Sequence, residues 1–216
     1  HGLKNPTSAG IWAITPDGVK IRIREHYEGN GKPISYHAAC IKNLVSDLPV
    51  KPALMIMDPA CWAGTQSKDN RVLSVVDEYH EHGIYPVPGH NEWQRTYNLL
   101  NEALAFDPSA KHPVTGDQGS PRLLTVRSCN NFIREMSNYK WKKARGTVLR
   151  NAPDEPIDYN DHSIDETRYF LSLAPSVVRH EQVAAPLTGL ERITKLRAQW
   201  NPLGGSFEHP GSWMTT

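Results

Sequence analysis

Strand-like and helix-like segments take turns along residues 10–173, and few folds accept that alternation. The opening stretch AGIWAITPDGVKIRIREHYEG carries two β-like runs, residues 10–15 and 19–26, around a Pro16-Asp17-Gly18 turn of the kind that closes hairpins. Period-two alternation in the second run assigns Val19, Ile21 and Ile23 to one face and Lys20, Arg22 and Arg24 to the other. ISYHAACIKNLVSDL then spaces Ile34, Ala38, Ile41 and Leu44 as a helix does, and ALMIM is the short apolar run expected of a strand buried on both faces. VLSVVDEYHEHG reads as a helix stopped by Gly83, IYPVPG as a short strand, and NEWQRTYNLLNEALAF as an amphipathic helix with Trp93, Tyr97, Leu100 and Leu104 in register. RLLTVRS supplies another strand, and NNFIREMSNYKW and DHSIDETRYFLSL two closing helices. The order predicts an α/β fold: an open mixed sheet flanked by helices on both faces. From Pro175 the periodicity weakens, so residues 175–216 are expected to form an extended or partly disordered extension of a domain spanning 1–174.

Composition narrows the function classes. With 216 residues, 38% of them hydrophobic, the chain is long enough for one domain with a real core. A formal net charge of +1 means that binding to a polyanion needs a local basic patch rather than a global field. No apolar run approaches the length of a membrane span and no basic-then-apolar leader opens the chain, so a cytosolic protein is expected. Cys40, Cys61 and Cys129 are too scattered for a disulfide framework or a zinc site and are expected as buried thiols. His80 and His82 lack the further ligands that zinc requires. Residue 1 is a histidine, and the chain reads as a piece of something longer.

Ligands in open α/β sheets collect beyond the carboxyl ends of the strands, which directs attention to Asp58, held at a strand tip by Pro59. Asp161 and Asp165 lie four residues apart at the start of the last helix. Each has a plain alternative: Asp58 as the cap of a turn, Asp161 as a helix N-cap favoured by the dipole. Together the three acids suit a hard cation such as Mg²⁺, which takes oxygen ligands and is held by a few carboxylates plus water and phosphate. Two such ions activate a water and stabilise the leaving oxygen of a phosphodiester.

MIMDPA followed by NDHSIDETRYFL resembles the nuclease domain of the large terminase subunit of tailed bacteriophages. Asp161, His162, Asp165, Arg168 and Tyr169 match that family's closing signature, with Glu166 where alanine is usual, and HGLKNPTSAGIWAI resembles its first strand and loop. The resemblance implies a ribonuclease H-like fold over residues 1–174. It further implies endonucleolytic cutting of concatemeric viral DNA during packaging, with Mg²⁺ or Mn²⁺ at a two-metal site. Asp58 would be its second metal-binding acid and Asp161 the third, with Asp165 a further acid binding directly or through water; the first would sit immediately before His1. Implied partners are double-stranded DNA, an upstream ATPase domain, the small terminase subunit and the portal, in the host-cell cytoplasm. The chain has no GxxxxGK[ST] loop, so ATP hydrolysis is not expected of it.

Lys140, Lys142, Lys143 and Arg145 surround Trp141, a mix of cations and an aromatic that suits a nucleic-acid backbone; a solvated helix end is the bland alternative. Lys20, Arg22 and Arg24 would make a second basic stripe, or simply an exposed strand face. His162 has two readings, proton shuttle or outer-shell ligand, against a solvent-facing histidine at a helix start. Arg168 is expected to pair with Asp165 or Glu166 and Tyr169 to pack on the sheet. Trp62, Trp93, Trp141 and Trp200 are expected as core or surface anchors. Two other functions are open: a DNA-binding and portal-docking module that does not cut, using Lys142, Lys143 and the tail after Pro175, and another ribonuclease H-like nuclease with the same acids, such as a resolvase or an RNA–DNA hybrid hydrolase.

Overall fold

The computed structural model describes residues 5–29, 31–68, 71–140, 156 and 159–174, all within one compact unit, His1–Val178. Two antiparallel strands open it, β1 (Thr7–Ile14) and β2 (Lys20–Glu28), joined by a turn in which Gly18 takes a φ of +89°. Helix α1 (Ile34–Val45) follows, then β3 (Ile56–Met57) and a 3₁₀ turn, Pro59–Trp62. The hairpin of β4 (Gly64–Lys68) and β5 (Arg71–Ser74) leads into α2 (Val75–Glu81) and β6 (Val87–Pro88), which pairs in parallel with β3. After α3 (Trp93–Leu104), a second hairpin, β7 (Phe106–Lys111) and β8 (Gln118–Pro121), precedes β9 (Leu123–Thr125), which lies parallel to β2. Helices α4 (Asn130–Asn138) and α5 (His162–Leu173) close the described chain.

The central sheet, ordered β1-β2-β9, separates two apolar clusters. Ala9 of β1 packs with Ile34, Ala38 and Ile41 of α1 and Val75, Val76 and Tyr79 of α2. Trp12, at odd spacing from Ala9 and therefore on the opposite face, packs with Leu100 of α3, Phe132 of α4 and Ile164 and Leu171 of α5. Helices thus cover both faces, the mixed α/β architecture that the alternation predicts.

Five expectations are corrected. Lys20, Arg22 and Arg24 do not form one exposed stripe: β1 pairs Ile11 with Arg24 and Trp12 with Arg22, leaving Ile23 as the extra residue of a β-bulge. Because side chains alternate with period two, one inserted residue sends Arg22 to the α5 face, where it is fully buried, and Arg24 to the α1 face. There Arg24 donates to Leu44 O at 2.6 Å and to Asp47 Oδ2 at 3.0 Å. The ALMIM strand is two residues long and half-buried rather than covered on both sides. Helix α2 starts at Val75, later than the apolar pattern suggests, because Ser74 and Asp77 form a capping box that begins the helix there. In α3 the buried stripe is Thr96, Leu100 and Ala103, while Leu104 faces outward. Of the cysteines, Cys61 and Cys129 are buried and Cys40 only partly so. Residues 175–216, Trp141 and Trp200 lie outside the described residues, and no described helix is long and apolar enough to cross a membrane.

Candidate active site

Asp58 stands at the carboxyl end of β3, beside the corresponding end of β6; Val87 N donates to Met55 O at 2.8 Å and Gly89 N to Met57 O at 2.9 Å. The capping alternative is realised here, since Ala60 N donates to Asp58 Oδ1 at 2.9 Å and holds the half-buried carboxylate at the strand tip. Capping and ligand binding are compatible, because a carboxylate has lone pairs on both oxygens.

Helix α5 brings the other acids. It begins after Asn160, whose φ of 51° is a left-handed conformation that asparagine tolerates. Asp161 occupies the N-cap position without a side-chain capping bond, and its backbone oxygen accepts Asp165 N at 2.8 Å. A carboxylate from α4 satisfies the helix start instead: Glu135, 1% exposed, accepts Ser163 N at 2.7 Å, the Ser163 hydroxyl, and Tyr27 Oη at 2.5 Å. Burial, and then the Glu135 charge, push the Tyr27 phenol well above its ordinary range.

Close approach seats α5 against the strand tips. A Cβ on Gly89 would lie 2.8 Å from Tyr169 Cβ and 3.2 Å from Ile56 Cγ2, so glycine is required where β6 ends. His90 N donates to Ser172 Oγ at 3.0 Å, and the Tyr169 hydroxyl lies 3.5 Å from Asn91 Oδ1. Tyr169 is therefore wedged between the tip of β3 and the second turn of α5. Burial raises its phenol far above the usual range, and the charges of Asp58 and Asp165 add to that. Tyr139 is raised in the same way, by burial and then by Asp165 and Asp161. The charges of Asp58, Asp165 and Asp161 thus act on two phenols, Tyr169 and Tyr139.

Arg168, 4% exposed, ties the group to α3. It donates to Thr96 Oγ1 from Nε at 3.0 Å and from Nη2 at 2.9 Å, and to Asp165 Oδ1 at 2.5 Å, so its expected pairing is with Asp165. Glu166, where the signature has alanine, turns to the sheet and pairs with Arg22. His162 lies toward β2, its ring centroid 6.4 Å from that of Tyr27. Lys140 is exposed just past the end of α4, and Lys142, Lys143 and Arg145 lie outside the described residues.

The charges of Asp58 and Asp165 thus both act on Tyr169, while Asp161, buried at the start of α5, acts with Asp165 on Tyr139. Their donor chemistry, carboxylate oxygens alone, fits a hard divalent cation. Among the described residues no group of three or more His, Cys, Asp or Glu side chains is gathered closely enough to hold a metal, so the expected convergence of Asp58, Asp161 and Asp165 on one cation is not seen. Tyr139 and Glu135 gave no sequence signal, since a tyrosine or glutamate near a helix end has many uses.

No family model and no curated protein matches the sequence. Two solved structures resemble the fold. One is the large terminase of a thermophilic bacteriophage, in complex with ATP-gamma-S: 21% identity over 79% of this chain, with a TM-score of 0.60. This chain spans 37% of the length of that protein. The other is the g2p (large terminase) nuclease domain from bacteriophage SPP1 with bound Mn: 16% identity, a TM-score of 0.50, and 78% of each chain covered. What is shared is the fold, the ribonuclease H-like α/β arrangement of a terminase nuclease domain.

Proposed function

We propose, from a fold shared with large-terminase nuclease domains, that this chain is a metal-dependent endonuclease that hydrolyses DNA phosphodiesters during viral genome packaging. The observation that supports the reading is that Asp58 stands at the carboxyl end of β3, against which the helix that carries Asp161 and Asp165 is closely seated through Gly89 and His90. That is where open α/β sheets bind ligands, and the SPP1 domain of the same fold was crystallised with Mn.

Asp58 and Asp165 would hold Mg²⁺ or Mn²⁺, with Asp161 a further acid on the same turn. Such ions supply an activated water and stabilise the leaving oxygen of the scissile phosphodiester. The chain's own groups prepare the acids. Arg168, anchored on Thr96, fixes the orientation of Asp165; the 3₁₀ cap fixes Asp58; and Tyr169, its phenol kept protonated, feels the charge of both. His162, directed toward Tyr27, is proposed only as an outer neighbour of the site. Lys140 and the basic residues after it, Lys142, Lys143 and Arg145, are proposed to contact the DNA backbone. An upstream ATPase domain, the small terminase subunit and the portal, in the host-cell cytoplasm, are the proposed surroundings.

The test is incubation of supercoiled plasmid with the chain in EDTA, Mg²⁺ and Mn²⁺, beside Asp58→Ala, with Mn²⁺ binding measured by calorimetry. Metal-dependent nicking or linearisation that disappears in the variant, together with weakened Mn²⁺ binding, is the expected result. Cutting that persists in EDTA or in Asp58→Ala would remove Asp58 and its metal from the reading.

A further inference from the structure

Arg22 and Glu166 are the ion pair that the proposed chemistry does not use. The Arg22 side chain is fully buried on the α5 face of the sheet. It meets Glu166 with both terminal nitrogens, Nη1 to Oε1 at 3.1 Å and Nη2 to Oε2 at 2.8 Å. Glu166 also accepts Ser8 Oγ at 2.8 Å and Trp12 Nε1 at 3.4 Å, so a single α5 carboxylate is gripped by two residues of β1 and one of β2. The guanidinium lies over Phe132 and Trp12, 4.9 and 5.4 Å from the ring centroids. Gly10 makes the room: a Cβ there would lie 2.5 Å from Glu166 Oε1 and 2.6 Å from Arg22 Nη1.

Stability alone is a poor explanation of this arrangement. Buried ion pairs are often matched or surpassed by apolar side chains of similar volume, because both charges lose their hydration. Here the cost is larger still, since Arg22 Nε is buried with no hydrogen-bond partner and its nearest acid, Glu25 Oε2, is 3.8 Å away. Directionality is what the pair offers and an apolar contact does not. Two parallel N–H···O bonds fix both the azimuth and the axial position of the residue that accepts them. Glu166 is the next residue after Asp165, roughly 100° around the helix. Fixing Glu166 on β1 and β2 therefore sets the angle at which Asp165 faces the tip of β3.

We infer that the Arg22–Glu166 pair, seated over Gly10, is a positioning device that sets the rotation and register of α5 and thereby the separation of Asp165 from Asp58. The inference rests on the metal-site reading above, and neither residue touches the reacting atoms. The bulge at Ile23 is part of the device, because it separates Arg22 from the facing of Arg24.

The experiment is the double substitution Arg22→Met with Glu166→Leu, which exchanges the pair for apolar volume, while Glu25 keeps the hydrogen bonds it accepts from Asn131 N, Asn131 Nδ2 and Phe132 N. Thermal melting, Mn²⁺ affinity, and kcat and KM for plasmid cutting are measured on it and on the unaltered chain. The expected result is a melting temperature equal or higher, KM for DNA unchanged, kcat lower by about 10- to 100-fold, and Mn²⁺ affinity lower by about 10-fold. Glu166→Gln, which keeps one acceptor for Arg22, recovers part of the kcat. A folded double variant with unaltered kcat and Mn²⁺ affinity overturns the positioning role while the nuclease reading stands. An unaltered chain that neither binds Mn²⁺ nor cuts overturns both.

Discussion

On the α1–α2 face of the sheet the buried side chains include Ile34, Ala38, Ile41, Val75, Val76 and Tyr79, and the buried His26 and His37 join β2 to α1. On the α3–α4–α5 face Leu100, Phe132 and Ile164 share the interior with Arg22, Glu135, Asp161 and Arg168. Both faces bury apolar surface, and only the second adds several ionised groups. Apolar burial is enough to hold a layer of helices on a sheet, whereas each buried charge needs partners to offset its lost hydration. The charged face therefore carries more than packing, and its charges converge on one element. Glu135 seats the first turn of α5, Glu166 its sheet-facing side and Arg168 its α3-facing side.

The contrast is broken most directly at Asp165. Under the nuclease reading, Asp165→Asn loses cutting by about 10³-fold or more and weakens Mn²⁺ binding, while the neutral isostere keeps an acceptor for Arg168 and melts near the unaltered chain. Retained cutting in this variant, read on plasmid in Mn²⁺, would mean that the charged face serves the fold alone.

Next in size is Glu166→Ala, which strands Arg22 in the interior. Removing one partner of a buried pair costs about 3–5 kcal/mol, to be measured by urea unfolding. A loss under about 1 kcal/mol would mean that water or Glu25 compensates Arg22 without Glu166. On the other face, Ile41→Ala should cost about 2–5 kcal/mol through lost burial and a cavity, with kcat per folded molecule unaltered. A kcat that falls along with stability would show the two faces coupled, contrary to the division drawn between them.

The apolar face was the more legible in the sequence, for a physical reason. Ile34, Ala38 and Ile41 announce α1 by spacing, and Gly83 ends α2 with a φ of +69° where the pattern expects a stop. On the other face, Asp58, Asp161 and Asp165 were visible as acids at element ends, but their supports were not. Arg22 reads as surface because a period-two pattern hides the bulge at Ile23, which only pairing with β1 reveals. Glu166 looks like any helix glutamate until Gly10, 156 positions away, makes room for it. The two hairpins β4–β5 and β7–β8 were missed because they carry no apolar period. The second is set by turn chemistry instead, with Gly116 and Gly119 at φ +78° and +89° and Arg122 bridging to Asp107.

The smallest effect expected is a pH slope, and it tests whether the apolar face is as inert as its packing suggests. His26 Nε2 and His37 Nδ1 lie 2.9 Å apart, joining β2 to α1. Burial lowers both histidines below their ordinary value of 6.5; His37 further lowers His26, and Glu28 opposes the shift in each. The unfolded chain therefore binds more protons than the folded one at pH values below 6.5 and above the depressed values, which makes stability rise with pH in that window. The histidine contribution is fully present above pH 6.5 and is lost as the pH falls through the depressed range. Tyr36 donates to Glu28 at 3.2 Å, and its phenol, raised to about 12 by hydrogen bonding with Cys40 and then with Glu28, stays protonated throughout. Melting temperatures between about pH 7.5 and 5 should fall on acidification, and less steeply in His37→Phe, which keeps the ring and cannot be charged. An equal slope in both proteins would place the pH sensitivity outside the His26–His37 pair.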